Sequence, residues 1–383
     1  MHHCSEDNHL YFHALAKQYA LHLPLLARLY KKTPDPKKLW EFSSKDLIRH
    51  SHRLSQKTID ELQKRKQSID LTAARAELLA LRASGIETIC IHDSLYSDAL
   101  RLIHEPPLFL YARGNTQLLR DDKAITISVI GSRRVSDYGT YVTADIGRSL
   151  QFFHCIIVSG LALGVDACAH EAALANTIPT IAVLGSPLTD AEITPPRNKP
   201  LAAKIQEAGG LLLSEYPPGT PCRPEFFPER NRIIAGLSAL TIVVEAAEKS
   251  GSLITARLAT EEYRDVFAVP GSIYAPQSTG TNQLIELGTQ PLSSMKQLQQ
   301  YVAEQLRLTT KQVGATHNST AAATVMPEIH PLLAAFDNPL QSLTLEQLHE
   351  SFGGETEELY VTLAELELSG LIVLQPDGTY KKS

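Results

Sequence analysis

Between residues 124 and 288 short apolar runs alternate with segments of helical spacing, and no other feature of the chain restricts its fold as sharply. The runs fall at 125–130, 156–158, 178–184, 211–213, 241–244 and 266–269. Helix-like stretches at 138–152, 162–175, 199–208 and 252–263 separate most of them. Strands that are apolar on both faces and alternate with helices belong to a parallel sheet covered on both sides. The expected core is a doubly wound, mostly parallel α/β sheet, which binds ligands beyond the carboxyl ends of its strands, where the winding reverses.

At 383 residues the chain exceeds one ordinary core, and domains of roughly 100 to 200 residues are expected. Residues 1–82 read as an N-terminal helical, SAM-like module, with Leu15, Tyr19, Leu23, Leu26 and Tyr30 at three- and four-residue spacing. Pro24 suits a first helical turn better than a helix interior, so two short helices are expected there. Residues 83–300 hold the sheet domain. Residues 301–329, small and polar without clear periodicity from about Leu306, read as a linker. Residues 330–383 read as helices at 330–336, 345–351 and 355–368 and a hairpin at 370–380 turning at Asp377-Gly378, the order of a winged helix.

Net charge is −6, which argues against a nucleic-acid partner until its distribution is considered. Residues 331–383 carry nine acids against two bases, a net of −7, which leaves +1 for residues 1–330. The stretch 355–368, the expected recognition helix, has Glu355, Glu357, Glu358, Glu365 and Glu367 and no lysine or arginine, so it repels phosphate. A protein contact suits this module better than reading duplex DNA. No apolar run approaches the roughly 20 residues of a membrane span, and the polar start lacks a signal peptide's regions, so a cytoplasmic location is expected. Cys4, Cys90, Cys155, Cys168 and Cys222 form no CxxC pair and read as reduced packing residues. His2, His3 and Cys4 offer metal donors, but a chain terminus gives them no preformed geometry; neither metal nor cofactor is expected.

Chemistry concentrates where strand-like runs stop or helix-like runs start. Gly131-Ser132-Arg133-Arg134 follows the first run: Gly131 admits a ligand to the backbone, and two guanidiniums match phosphate oxygens. The alternative is a turn glycine with arginines paired to local acids. Ser159 and Gly160 open a second turn, and a helix from about Ala162 aims free N–H groups at the same edge. Asp166 and His170 share a helix face, either as an acid–base pair or, more plainly, as hydrogen-bonding supports of the loop. Phe226 and Phe227 with Arg230 and Arg232 around Asn231 offer rings to bases, at about 1–3 kcal/mol each, and cations to phosphates. Their alternative is a buried Phe226 beside surface arginines. Lys249-Ser250-Gly251-Ser252 makes another small-residue turn at a helix start. GxGxxG and Walker A are both missing, and Leu174 stands where a zinc protease needs its second histidine. No nucleophile has a positioned base, so no catalytic residue is expected.

These stretches, with Pro106-Pro107-Leu108-Phe109 through Gly114, Tyr138-Gly139, Ser214-Glu215-Tyr216-Pro217, Glu245-Ala246 and Val269-Pro270-Gly271, run in order over residues 96–288. The chain resembles the DNA-processing protein A family, DprA or Smf, of bacterial natural transformation. The resemblance implies a Rossmann-like domain that binds and protects single-stranded DNA without strong sequence preference, forms homodimers and helps load a RecA-type recombinase. It implies a DNA pocket of Arg133, Ser159, Gly160, Phe227, Arg230, Asn231 and Arg232, with the 250–252 turn nearby. Ser97, Thr194 and Thr289 depart from the family's usual proline, tyrosine and alanine.

A second function class stays open, an enzyme of the Rossmann-like nucleotide phosphoribohydrolase kind with Glu245 or Glu261 acting on a ribose. That group's signature glycine pair is missing from Ser250-Gly251-Ser252. A third is a scaffold that uses only its helical and winged modules.

Overall fold

Six short helices come first: α1 (Glu6–Gln18), α2 (Leu23–Lys32), α3 (Pro36–Glu41), α4 (Ser44–His50), α5 (Gln56–Gln67) and α6 (Leu71–Ala83). Side chains of Ser5, Asp35, Ser43, Ser55 and Asp70 accept hydrogen bonds from first-turn amides at five of these starts. Pro24 and Pro36 sit in the first turns of α2 and α3, where a missing N–H costs nothing. The computed structural model describes residues 5–51 and 54–315, and beyond them 342–344, 347–349, 359, 363, 372–375 and 379–382.

The sheet follows as β1 (Ile86–Cys90), α7 (Asp98–Arg101), β2 (Phe109–Gly114), β3 (Ile125–Ile130), α8 (Asp137–Leu150), β4 (Cys155–Ser159), α9 (Val165–Ala175), β5 (Thr180–Leu184), α10 (Lys199–Glu207) and β6 (Leu211–Ser214). It continues as α11 (Phe226–Leu237), β7 (Leu240–Val243), α12 (Gly251–Glu261), β8 (Asp265–Ala268), α13 (Thr279–Glu286), β9 (Gln290–Pro291) and α14 (Met295–Ala315). Nine strands lie in the order β1-β2-β6-β5-β4-β3-β7-β8-β9. β1, β2 and β6 pair antiparallel and every other pair is parallel, with Ile127 of β3 opposite Ile157 of β4 and Leu240 of β7. The chain winds outward from β3 through β4, β5 and β6, and α11 returns it to β7 on the other flank of β3. The winding therefore reverses between β3 and β7, where a doubly wound sheet opens its crevice.

The period of two along each strand divides the core between two faces. Ile127, Val129, Ile157 and Ile242 pack with Val142 and Ile146 of α8, Ala169 of α9, and Leu298 and Val302 of α14. Ile130, Ile156, Val158 and Val243 join Leu201 and Ile205 of α10 and Phe226, Ile233 and Ile234 of α11. Each such valine, leucine, isoleucine or phenylalanine, fully buried, stabilises the fold by about 1.5–3 kcal/mol relative to exposure.

That second cluster does not stop at the sheet. It continues through Phe12 and Leu15 of α1, Tyr19 just after it and Leu26 of α2 to Ile89, Phe109 and Tyr111, and His13 Nδ1 lies 2.7 Å from the Tyr111 hydroxyl. Residues 1–316 form one compact unit, so the helices read as residues 1–82 and the sheet domain share a continuous core. The apolar faces of α1 and α6 need cover, and β1 supplies it.

Residues 301–315, expected as linker, are the later turns of α14. Val302 is buried, Tyr301 and Leu306 pack beside it, and the Tyr301 hydroxyl donates to Asp265 Oδ2 at 2.5 Å, which gives this polar stretch an apolar stripe to anchor. Residues 316–329 lie outside the described residues.

The second unit, 317–383, contains β10 (Ser342–Leu343), β11 (Ile372–Leu374) and β12 (Tyr380–Lys382) in antiparallel order β10-β12-β11. The Gln375 N–H donates to the Thr379 carbonyl at 2.8 Å between β11 and β12. Leu359 and Leu363, four apart in helical conformation, are buried. The expected turn at Asp377-Gly378 and most of the three expected helices lie outside the described residues. No helix among the described residues is long and apolar enough to cross a membrane.

Candidate nucleic-acid interface

Loops after β3 and β7 diverge from adjacent strands, and α11 crosses beneath them. They enclose an open cleft of about 530 Å³ lined by Gly131, Ser132, Arg133, Arg134, Phe227, Arg230, Asn231, Lys249, Ser250, Gly251 and Ser252, together with Ala162, Asp166, Ile234 and Thr255.

The first loop is a tight turn in which the Arg134 N–H donates to Ser132 Oγ and that hydroxyl donates to the Arg134 carbonyl, both at 3.0 Å. Ser132 thus holds the backbone, while Arg133 and Arg134 are exposed. The loop is also pinned from behind. Gly164, at φ 82°, lets the Val165 N–H reach the Ser132 carbonyl at 3.1 Å, and a Cβ at Gly164 would overlap that oxygen.

The second turn is closed from within. The amides of Gly160 and Ala162 donate to Asp166 Oδ2 at 3.2 and 3.4 Å, and the Ser159 hydroxyl donates to the Val129 carbonyl at 2.7 Å. The helix expected from about Ala162 begins at Val165, with Asp166 in its first turn turned back onto the loop amides. Ser159 and Gly160 are buried and do not line the cleft, a difference from the pocket implied by the resemblance. Asp166 and His170 part company as well. His170 is buried with Nδ1 2.8 Å from Thr180 Oγ1, which itself donates to the Ile157 carbonyl at 2.8 Å. Burial, seconded by the Arg230 charge, pushes the imidazole down to about 3. The pair is a set of two separate supports.

The helical geometry of α11 sorts the third segment. Phe227, Arg230, Asn231 and Ile234 recur at three- and four-residue spacing and face the cleft, whereas Arg232, about 200° around the helix from Arg230, points elsewhere. Arg232 Nη2 lies 2.7 Å from both oxygens of buried Glu215. Arg230 lines the cleft but is buried, donating to the carbonyls of Gly160 and Val183, with Nη2 3.8 Å from Asp166 Oδ2. Burial lowers its pKa from the ordinary arginine value, opposed by Asp166. Phe227 is half-buried, its ring centroid 5.3 Å from the Arg133 guanidinium carbon and 6.0 Å from that of Arg230. Phe226 is core, stacked on Tyr216 at 4.1 Å.

At the far wall, Ser250 caps α12, accepting from the Ser252 N–H at 3.4 Å, and no acid stands in that helix's first turn. α8 differs: Glu245 accepts from the Ser136 N–H at 3.0 Å and from the Ser136 hydroxyl, so a carboxylate already fills its amino end. Lys249 is exposed beside Ser250. Of the acids considered for ribose chemistry, Glu245 is thus held at Ser136, and Glu261 lies 3.5 Å from Arg257 on the surface of α12. The exposed cations of the cleft, Arg133, Arg134 and Lys249, surround small residues, a partly open ring and one helix start that carries no acid.

The family model of DNA recombination-mediator protein A matches residues 87–303, more than half of the chain. The chain belongs to this family. Protein Smf of Escherichia coli is 34% identical over 349 residues, covering 87% of this chain and 90% of its own length. DNA processing protein DprA of Bacillus subtilis is 40% identical over 221 residues, 58% of this chain and 73% of that protein. Among solved structures, DNA processing protein A of Streptococcus pneumoniae superposes with a TM-score of 0.62 at 35% identity, covering 75% of this chain and 95% of its own. DNA processing protein A of Helicobacter pylori, described for its single-stranded DNA binding mode, superposes with a TM-score of 0.51 at 32% identity, over 57% of this chain and 96% of that one. The α/β, Rossmann-like fold expected from the alternating runs is the fold of this family.

Residues that sequence reasoning passed over are Ala162, Ile234, Ala247, Ile254 and Thr255 on the cleft walls. A helical wheel of 226–237 pairs Ile234 with Phe227 and Arg230 and would have found it; the others carry no distinctive side chain.

Proposed function

We propose that the chain holds single-stranded DNA in this cleft without strong sequence preference, protects it, and helps load a RecA-type recombinase during transformation or recombination. The observation that carries the reading is the exposed Arg133 guanidinium seated at the Phe227 ring beside Arg134 and Lys249: cations for the backbone and a π face for a base in one open groove. The amino end of α12 at Ser250, Gly251 and Ser252, capped by a hydroxyl and without an acid in its first turn, is the seat this reading gives a phosphate, because Glu245 and Asp166 already stand at the starts of α8 and α9. The name of the Helicobacter relative, which describes single-stranded DNA binding, supports the ligand class. A homodimer and a protein-binding role for the acidic C-terminal unit complete the reading.

Fluorescence anisotropy with labelled single-stranded and duplex oligonucleotides at two salt concentrations tests it. Tighter binding of the single strand is expected, with log affinity falling by about 0.7 per log unit of salt for each neutralised phosphate. Equal or no binding of both would sink it. Recombinase loading is read separately, as faster filament growth on strands coated with single-strand-binding protein.

A further inference from the structure

Away from the cleft, the end of β1 gathers three different donor atoms. The Asp93 N–H donates to the Cys90 carbonyl at 2.9 Å, and the Cys90 N–H donates to Asp93 Oδ2 at 2.7 Å, folding Cys90-Ile91-His92-Asp93 into a turn. His9 arrives from α1, its Nε2 2.9 Å from Asp93 Oδ2. A His9 nitrogen, the Cys90 sulfur and an Asp93 oxygen lie within 4.8 Å of one another, the one such group among the described residues. We propose that this cluster binds a divalent zinc-class metal ion that ties α1 to the turn after β1.

The donor set argues the class. A thiolate beside an imidazole and a carboxylate suits zinc and disfavours magnesium and calcium, which take oxygen ligands. Bonds of about 2.0 Å to nitrogen and oxygen and 2.3 Å to sulfur put tetrahedral donors about 3.3–3.5 Å apart, within the span of this cluster. His9 Nδ1, the nitrogen not facing Asp93, is 3.2 Å from Thr88 Oγ1, so the ring is already oriented through its second nitrogen. An entry path exists. A surface cleft of about 670 Å³ is lined by His9, Thr88 and Asp93, while Cys90 is buried behind them. Three protein donors with a fourth position toward this cleft leave room for one water. The ligands stand at opposite ends of the helical module in sequence, which is why Cys90 reads as a packing residue until the fold brings His9 to it.

The full chain, stripped with chelator and dialysed against zinc, is expected to retain one equivalent and to unfold at a higher temperature than the stripped form. Cobalt in place of zinc is expected to give a sulfur-to-metal charge-transfer band. That band persists when His2, His3 and Cys4 are replaced by alanine, alanine and serine, and His9→Gln and Asp93→Asn each weaken binding by about tenfold or more. If Cys90→Ser does not fold, the cobalt band of the chain lacking Cys4 reports the thiolate instead. No retained zinc, a band lost with Cys4, or binding unchanged in His9→Gln and Asp93→Asn each overturns the proposal.

Discussion

Arg232 and Glu215 form a buried pair in which one guanidinium nitrogen, Nη2, lies 2.7 Å from each carboxylate oxygen. Burial pushes the Glu215 carboxyl up, and the arginine charge pulls it back. Removing one member leaves the other charged, desolvated and unpaired, at a cost of about 3–5 kcal/mol. Arg232→Ala is therefore expected to lower the urea midpoint sharply while the protein that remains folded binds oligonucleotide with unchanged affinity and salt slope. Normal stability with lost affinity would return Arg232 to the cleft.

Arg133 and Phe227 separate the two components of binding. Arg133→Ala is expected to weaken single strands of all sequences alike and to make the salt slope shallower by about 0.7. Phe227→Leu removes a stacking face, at about 1–3 kcal/mol of binding, and leaves the slope nearly intact. Anisotropy titrations at two salt concentrations read both. Equal slopes in the parent and Arg133→Ala would show that this side chain meets no phosphate.

Gly164→Ala tests the pinning of the arginine turn. The backbone there has φ 82°, and the added methyl would overlap the Ser132 carbonyl oxygen that accepts from Val165. Strain of about 1–3 kcal/mol is expected in the unfolding free energy, with weaker oligonucleotide binding because the backbone carrying Arg133 must shift. A stable variant with parental affinity would mean that the turn holds its shape without this contact.

His170 should leave a mark on acid stability. Its pKa falls from 6.5 to about 3 in the folded chain, chiefly by burial, so between those values the unfolded chain takes up a proton that the folded chain refuses. Stability is consequently lost as pH drops through that window, by up to about 1.4 kcal/mol per pH unit, and the dependence vanishes above it. The stability advantage of the parent over His170→Gln is expected to grow from pH 4 to about 6.5 and then level off. Parallel urea-midpoint profiles for the two proteins would contradict a neutral buried ring.

The strands from β3 to β8 were legible because each is a short run apolar on both faces, which few other arrangements can bury. β1 and β2 were harder to read, since Ile86-Glu87-Thr88-Ile89-Cys90 is too short to stand out and β2 pairs antiparallel at the far end of the sheet. Composition misled at α14, where polar residues hid the stripe of Leu298, Val302 and Leu306. Within the site, Gly131, Arg133 and the 250–252 turn announced themselves by residue type. The fate of Arg232 did not, because contiguous residues in a motif separate by about 100° each once the segment is helical. His9 and Cys90 gave no local signal, as only the docking of α1 on β1 makes them neighbours.

Phe227 has guanidiniums at 5.3 and 6.0 Å from its centre, and the two are not equally free. Arg230 is fastened by the carbonyls of Gly160 and Val183, whereas Arg133 sits on an exposed turn. A nucleobase landing on this ring would evict Arg133 rather than fill a vacancy, so its net gain is the difference between two tenants. The displaced cation would then be free to meet a neighbouring phosphate, so that the share of binding owed to the ring and the share owed to the arginine stay separable.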